Sequence, residues 1–208
     1  MKLIETILDF IFPTKCGICN KIGKEYICEN CYKEIKKYMY INTNSDIFYM
    51  LKYKEIVRDR MIAFKFNDNP YLYHMFCDIF VKNKIGCDFV KKYDIIIPIP
   101  MHKNKKTKRG YNQSELFAKG ISKALKIPVS VNSLIKQRDT LMQSSLGKNE
   151  RTKNVQNAYE IKNMEKINNK NILLVDDIYT TGATINECKR IIMRAGATKV
   201  GVLIIAKD

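Results

Sequence analysis

Apolar positions recur along this chain in two rhythms. At the start, Leu3, Ile4, Ile7, Leu8 and Ile11 fall at helical spacing, and Pro13 closes the run. Glu5 and Asp9 interrupt it, so it predicts a helix packed on its own protein; a secretory h-region or a spanning segment does not fit, and a membrane-surface helix is the lesser alternative. From Ile47 to Val81, apolar residues keep helical spacing on both sides of a break at "NDNP", which predicts two connecting helices. The register then changes. "YDIIIPIP" (93–100) is a short continuous apolar run, the pattern of a strand buried on both faces, and its two prolines end it in a rigid loop. From Ser114, Leu116, Phe117, Ile121, Ala124 and Leu125 mark one helix face, which stops before Pro128. "VSVNSLIKQ" predicts a strand.

The last forty residues carry the clearest pattern. "NILLVDD" predicts a buried strand and "IYTTGA" a turn. "TINECKRIIMRAG" predicts a helix with Ile185, Cys188, Ile192 and Ala195 inward and Gly196 as its stop, and "KVGVLIIA" predicts a second buried strand. Strand, helix, strand in that length is a βαβ unit, so the sheet is at least partly parallel. Between the helix from Ser114 and this unit, "RDTLMQSSLGKNERTKN" has no core-forming period, and loops of that length are functional or mobile.

Composition adds charge and cysteine chemistry. Among 208 residues, 37 Lys and Arg stand against 21 Asp and Glu, a net charge of +16 that attracts phosphates. A Lys-rich composition without function and a nucleic-acid surface both account for it. Four of the seven cysteines form two C-x-x-C pairs, Cys16 with Cys19 and Cys28 with Cys31. Two such pairs can set four thiolates around one tetrahedral Zn²⁺, a closed and therefore structural site, with Gly17 and Gly23 easing its turns. Disulfides are the alternative, disfavoured by the spacing and by the reducing cytoplasm in which this chain is expected. Cys77, Cys87 and Cys188 have no ligand-like spacing and read as small buried hydrophobes. These features divide the chain at about residue 45: an N-terminal helix with a zinc-binding module (1–45), then connecting helices and an α/β domain (46–208).

The chemistry concentrates at "VDDIYTTGAT" (175–184). Asp176 and Asp177 end a buried strand, where open parallel sheets bind ligands. Thr180, Thr181, Gly182 and Thr184 then offer hydroxyls and close-set backbone N–H groups at a helix N-terminus, where an anion is favoured. Acceptors for hydroxyls beside a phosphate cradle suit a sugar phosphate. Simple helix capping needs one such residue and here there are several. No Walker loop occurs in the chain. His102 reads as a solvated or phosphate-contacting imidazole and His74 as packing. Lys103, Lys105, Lys106, Lys108 and Arg109, following a buried strand, read as phosphate contacts or as a solvated basic face.

"ILLVDDIYTTGAT" resembles the phosphoribosyl-pyrophosphate (PRPP) motif of type I phosphoribosyltransferases. The four-cysteine knuckle, "KFND" (65–68), "IPIPMHKNKKTKRGYNQ" and "KQRDTLMQSSLGKNERTKNVQNAY" extend the likeness over nearly the whole chain to the ComF family of competence proteins, linked to natural transformation and DNA uptake. The resemblance implies a phosphoribosyltransferase-like parallel sheet flanked by helices. By position it implies that Asp176 and Asp177 contact the ribose hydroxyls. Ile178, Tyr179, Thr180, Thr181, Gly182, Ala183 and Thr184 would wrap the 5-phosphate, and the loop from Pro100 through Met101, His102 and Lys103 to Lys105 would meet pyrophosphate. Arg109, Asn112 and Gln113 follow that loop, while Arg138, Thr140, Gln143 and Arg151 would belong to a flexible segment that folds over the ligand. In an active enzyme Arg109 and Arg138 would stabilise the departing pyrophosphate, with Mg²⁺ held mainly by pyrophosphate and water. Two functions follow: ribosyl transfer to a nitrogen nucleophile, or a non-catalytic PRPP- or nucleotide-sensing protein that works on single-stranded DNA beside a helicase or a recombination mediator. Tyr38, Tyr40, Tyr49 and Tyr53 are compatible with strand stacking or, as the simpler reading, with helix packing.

Overall fold

The computed structural model describes residues 13–40, 46–66, 69–140, 150 and 154–208. The apolar run at the start of the chain, Gln143 and Arg151 lie outside the described residues. A cysteine knuckle leads into α1 (Glu29–Ile35) and a 3₁₀ turn (Lys36–Tyr38). Then follow β1 (Ile47–Lys52), α2 (Glu55–Phe66), α3 (Leu72–Val81), α4 (Lys84–Val90), β2 (Ile95–Pro98), α5 (Lys103–Arg109) and α6 (Gln113–Leu125). The chain closes with β3 (Leu134–Lys136), β4 (Tyr159–Ile161), β5 (Asn171–Tyr179), α7 (Ala183–Arg194) and β6 (Lys199–Lys207). No helix among the described residues is long and apolar enough to cross a membrane.

Four strands form an all-parallel sheet in the order β1-β6-β5-β2, and β3 with β4 makes a separate antiparallel ribbon. Every crossover between parallel strands needs a return path over a face, so helices cover both sides. Leu173 and Val175 of β5 face the apolar cluster beneath α2, α3 and α6, while Ile172 and Leu174 face the cluster under α7. Near the strand ends this alternation slips. Met50 with Leu51 in β1, and Ile205 with Ala206 in β6, are consecutive residues buried in the same cluster. Leu51 aligns with Ala206, and Ala206 with Ile178, so the slip occurs at one level across neighbouring strands.

Three expectations fail here for local reasons. Ile47–Lys52 is an edge strand, not helix, because pairing with β6 overrides its helix-compatible spacing. The basic stretch expected as loop contains α5, started by His102 Nδ1 accepting from the Asn104 N–H and stopped by Gly110 at φ +84°. The polar, basic stretch "YKEIKKY", which by composition reads as a connection out of the cysteine module, is instead occupied by α1 and the 3₁₀ turn. The βαβ unit, β2 and α6 fall where the patterns place them, although β5 continues through Tyr179, two residues into the predicted turn. Cys77, Cys87 and Cys188 are buried.

Candidate functional site

β5 delivers two carboxylates at the carboxyl edge of the sheet. The Asp176 carboxylate accepts from Ser114 Oγ (3.0 Å) and from the backbone N–H of Asp177 (2.9 Å). Asp177 forms an ion pair with Lys65 at the end of α2 (3.1 Å) and accepts from the Ile178 N–H (2.6 Å). Burial, then the neighbouring charge of Asp177, pushes the Asp176 carboxyl up to about 7, against the opposing pull of its hydrogen bonds and Lys65. Beyond β5, Thr180 is exposed, Thr181 half-buried, and Gly182 sits at φ +75° directly before α7. A Cβ on Gly182 would lie 2.4 Å from the Tyr179 hydroxyl, so both backbone sign and space require glycine. Thr181 Oγ1 accepts from the Ala183 N–H at 3.5 Å, and the Thr184 hydroxyl bonds Tyr159.

The loop after β2 starts beside the carboxylates, because the Ile99 N–H donates to the Val175 carbonyl (2.9 Å). Met101 is half-buried, Lys103 exposed and Lys105 half-buried, and His102 is buried at 7% exposure, which removes the solvated alternative of its two readings. Its Nδ1 lies 3.3 Å from Asp139, and Lys105 reaches both Asp139 (3.6 Å) and the Thr140 carbonyl (2.5 Å). Thr140 itself is buried, and its hydroxyl has no partner among the described residues. Thus the β2 loop and the segment after β3 are already tied together.

The Arg-Gly-Tyr-Asn-Gln core is anchored by hydrogen bonds into the protein. Tyr111 Oη and Gln113 Nε2 both donate to the Phe64 carbonyl (2.7 and 3.0 Å), and Asn112 both caps α6 and donates to the Ile99 carbonyl (2.9 Å). Arg109 donates to Gln113 (2.8 Å) and lies 5.3 Å over the Phe66 ring. Arg138 donates to the carbonyls of Asn154 (3.0 Å) and Gln156 (2.8 Å), closing the neck of the excursion between β3 and β4.

Three participants escaped the sequence reading as individuals: Ser114, Lys65 and Lys136. Burial and then Lys105 lower the Lys136 amine to about 8, and it lies 5.3 Å over the Tyr159 ring, close enough to Asp176 and Asp139 to feel both. It also lines a cavity of about 610 Å³ together with Pro100, His102 and Lys103. A signal existed for Lys65, which opens the "KFND" stretch; Lys136 in a three-residue strand gave none.

At the other end, Cys16, Cys19, Cys28 and Cys31 bring their Sγ atoms within 4.8 Å of one another. The Cys19 and Cys28 sulfurs are 3.7 Å apart, close to the ~3.8 Å edge of a tetrahedron with Zn–S bonds of about 2.3 Å. Although burial raises the Cys16 thiol, backbone N–H groups of Cys19, Cys28 and Ile18 prevail and bring it down to about 7, whereas burial and the neighbouring sulfurs push the Cys31 thiol up. This cluster could hold a metal ion. The expected role of its glycines needs correction: Asn20, at φ +60°, makes the left-handed turn. Gly17 instead lets the knuckle approach α3, since a Cβ there would meet Met75 Sδ at 2.8 Å. His74 packs as predicted, stacked on Tyr26 at 4.1 Å.

Residues 112–208 match the family model described as phosphoribosyl transferase domain. The chain is similar to competence protein F of Haemophilus influenzae, 26% identical over 94% of this chain and 98% of that one. It is also similar to competence protein ComFC of Streptococcus pneumoniae, 29% identical over 94% of this chain and 82% of that protein. Among solved structures, an adenine phosphoribosyltransferase aligns over 85% of this chain and 89% of its own, at 15% identity and a TM-score of 0.45. This chain is thus similar along nearly its whole length to competence protein F, and residues 112–208 carry the pattern of a phosphoribosyl transferase domain.

Proposed function

We propose that the chain is a cytoplasmic competence protein that binds PRPP at the carboxyl end of β5 and acts in DNA uptake. The observation that carries this reading is the Asp176–Asp177 pair followed by the left-handed Gly182 cradle, within the residues that fit the transferase model. Asp176 and Asp177 accept the ribose hydroxyls, the Ile178–Thr184 loop takes the 5-phosphate, and Met101 to Lys105 face pyrophosphate, with Lys136 as an added cation. Lys136 supports this because a poorly solvated amine binds a phosphate more strongly than an exposed one. In turnover a C–N bond forms at the anomeric carbon as the bond to pyrophosphate oxygen breaks. The leaving group takes the electron pair, the nitrogen loses its proton to water, and Arg109 and Arg138 offset the charge of the departing pyrophosphate. Mg²⁺, held mainly by pyrophosphate and water, supplies charge neutralisation when bound. Zn²⁺ in the four-sulfur cluster is structural.

Calorimetric titration of PRPP with Mg²⁺ tests the site. Micromolar binding abolished by Asp176→Asn with Asp177→Asn supports the reading, whereas equal binding by wild type and double variant, or none by either, overturns it.

A second reading keeps the same fold without turnover, as a PRPP or nucleotide sensor bound to single-stranded DNA and to a competence helicase or recombination mediator. It is favoured by the Lys207 amine, 4.4 Å over the Tyr49 ring and 5.2 Å over Tyr40, which joins aromatic surface to positive charge at the ends of β1 and β6. Salt-dependent binding of oligo-dT without pyrophosphate release from any base would select it.

A further inference from the structure

We propose that Asp139 is an internal competitor for the pyrophosphate half of the site: its carboxylate holds cations that pyrophosphate takes, and so sets how tightly that half of PRPP binds. The inference rests on the PRPP reading above and names a residue that tunes the same site.

Charge balance is the first argument. Lys105 in α5 and Lys136 in β3 are close enough that Lys105 disfavours the charged Lys136 amine. Asp139 opposes this, since it favours the charged amine, pairs with Lys105 at 3.6 Å and lies 3.3 Å from His102 Nδ1. A single carboxylate thus offsets the mutual repulsion of groups gathered to face a polyanion. A second anion brought to the same cations makes that carboxylate surplus, and two negative charges so close repel.

How the carboxylate is held is the second. Its side chain is 40% exposed, and 3.6 Å is long for a charge-assisted hydrogen bond. His102 Nδ1 accepts from the Asn104 N–H (3.4 Å) as the cap of α5, and one ring nitrogen cannot also donate to Asp139. In the next residue, Thr140, the carbonyl accepts from Lys105 (2.5 Å), while the buried hydroxyl finds no partner among the described residues. A buried hydroxyl left unpaired costs free energy. The contact is therefore weak enough to be exchanged for a ligand that brings more oxygens and more charge.

Calorimetric titrations of pyrophosphate, PRPP and ribose 5-phosphate, each with Mg²⁺, into the full chain as wild type, Asp139→Asn and Asp139→Ala test this. Pyrophosphate and PRPP are expected to bind about threefold or more tightly to both variants, the scale of one partly exposed ion pair. Ribose 5-phosphate lacks the group that meets Lys105, and its affinity is expected to stay within about twofold. Equal or weaker pyrophosphate binding by the variants overturns the competitor. So does ribose 5-phosphate tightened as much as pyrophosphate, the mark of a general loss of negative charge. The chain has two histidines, so ¹⁵N-histidine labelling reports His102 beside His74 as a control. Pyrophosphate added to wild type is expected to move the His102 signal towards its position in Asp139→Asn and to leave that of His74 in place; a His102 signal that pyrophosphate does not move overturns the exchange. Tighter pyrophosphate binding by the variants with no PRPP bound by any of the three proteins supports the competitor and overturns the PRPP reading alone.

Discussion

Asp176 is held under conflicting demands. Ser114 and a backbone N–H support its charged form, yet burial and Asp177 oppose ionisation strongly enough to bring the carboxyl to about 7. In the unfolded chain it titrates near 4, so between about pH 4 and 7 the folded state holds the extra proton and stability falls as pH rises. Replacing the carboxylate removes that cost. Apo Asp176→Asn is expected to match wild type near pH 4.5 and to melt higher at pH 8, by roughly 4–8 °C if the cost is on the order of 2 kcal/mol. The same substitution should abolish PRPP binding. Paired thermal melts across pH check this, and identical pH profiles would contradict it. Sequence alone exposed the two acids, because an apolar run ending in them is a local signal. Lys65 and Ser114 could not be read so, since their link to the pair exists only after α2 and α6 pack onto β5.

At the scale of elements, turns and necks carry the testable weight. Gly182 meets two constraints at once, a left-handed backbone and a tyrosine hydroxyl where a Cβ would go. Gly182→Ala is expected to destabilise the protein by about 1–3 kcal/mol and to weaken PRPP more than tenfold, read by denaturant melts and calorimetry. Arg138 closes the neck between β3 and β4 through two carbonyls. Losing these hydrogen bonds in Arg138→Ala should cost about 1 kcal/mol of stability, read by denaturant melts. β1 was misread because six apolar-rich residues followed by a helix continue a helical spacing, and only the free edge of β6 assigns them to the sheet. The slip in alternation at the strand ends is likewise a property of neighbouring strands together.

Across the whole molecule the knuckle belongs to the main core. Cys16, Ile27 and Ile35 are buried in the same cluster as Met75, Phe76 and Phe80 of α3. The Tyr26 N–H donates to Asp78 (2.8 Å), and Lys82 pairs with Glu25 (2.9 Å) across the same contact. If the knuckle holds zinc as proposed, its removal is therefore expected to disturb more than residues 13–40. Metal analysis should find one Zn²⁺ per chain, and chelation or Cys19→Ser should lower the melting temperature by roughly 10 °C, with α3 losing amide protection. Retained protection in α3 would mean that the knuckle is a passive appendage.

The strand order has a consequence in time. β6 lies between β1 and β5, and Ile47 pairs with Val202. While the ribosome is still making residue 198, neither half of the parallel sheet has the strand that joins it to the other, so the nascent chain must hold two incomplete edges apart until the final strand emerges. Long-range parallel pairing of this kind folds slowly and leaves those edges open to other chains. Where synthesis stalls between Asp177 and β6, the product is a chain whose carboxylate pair has been made but whose sheet has not closed around it.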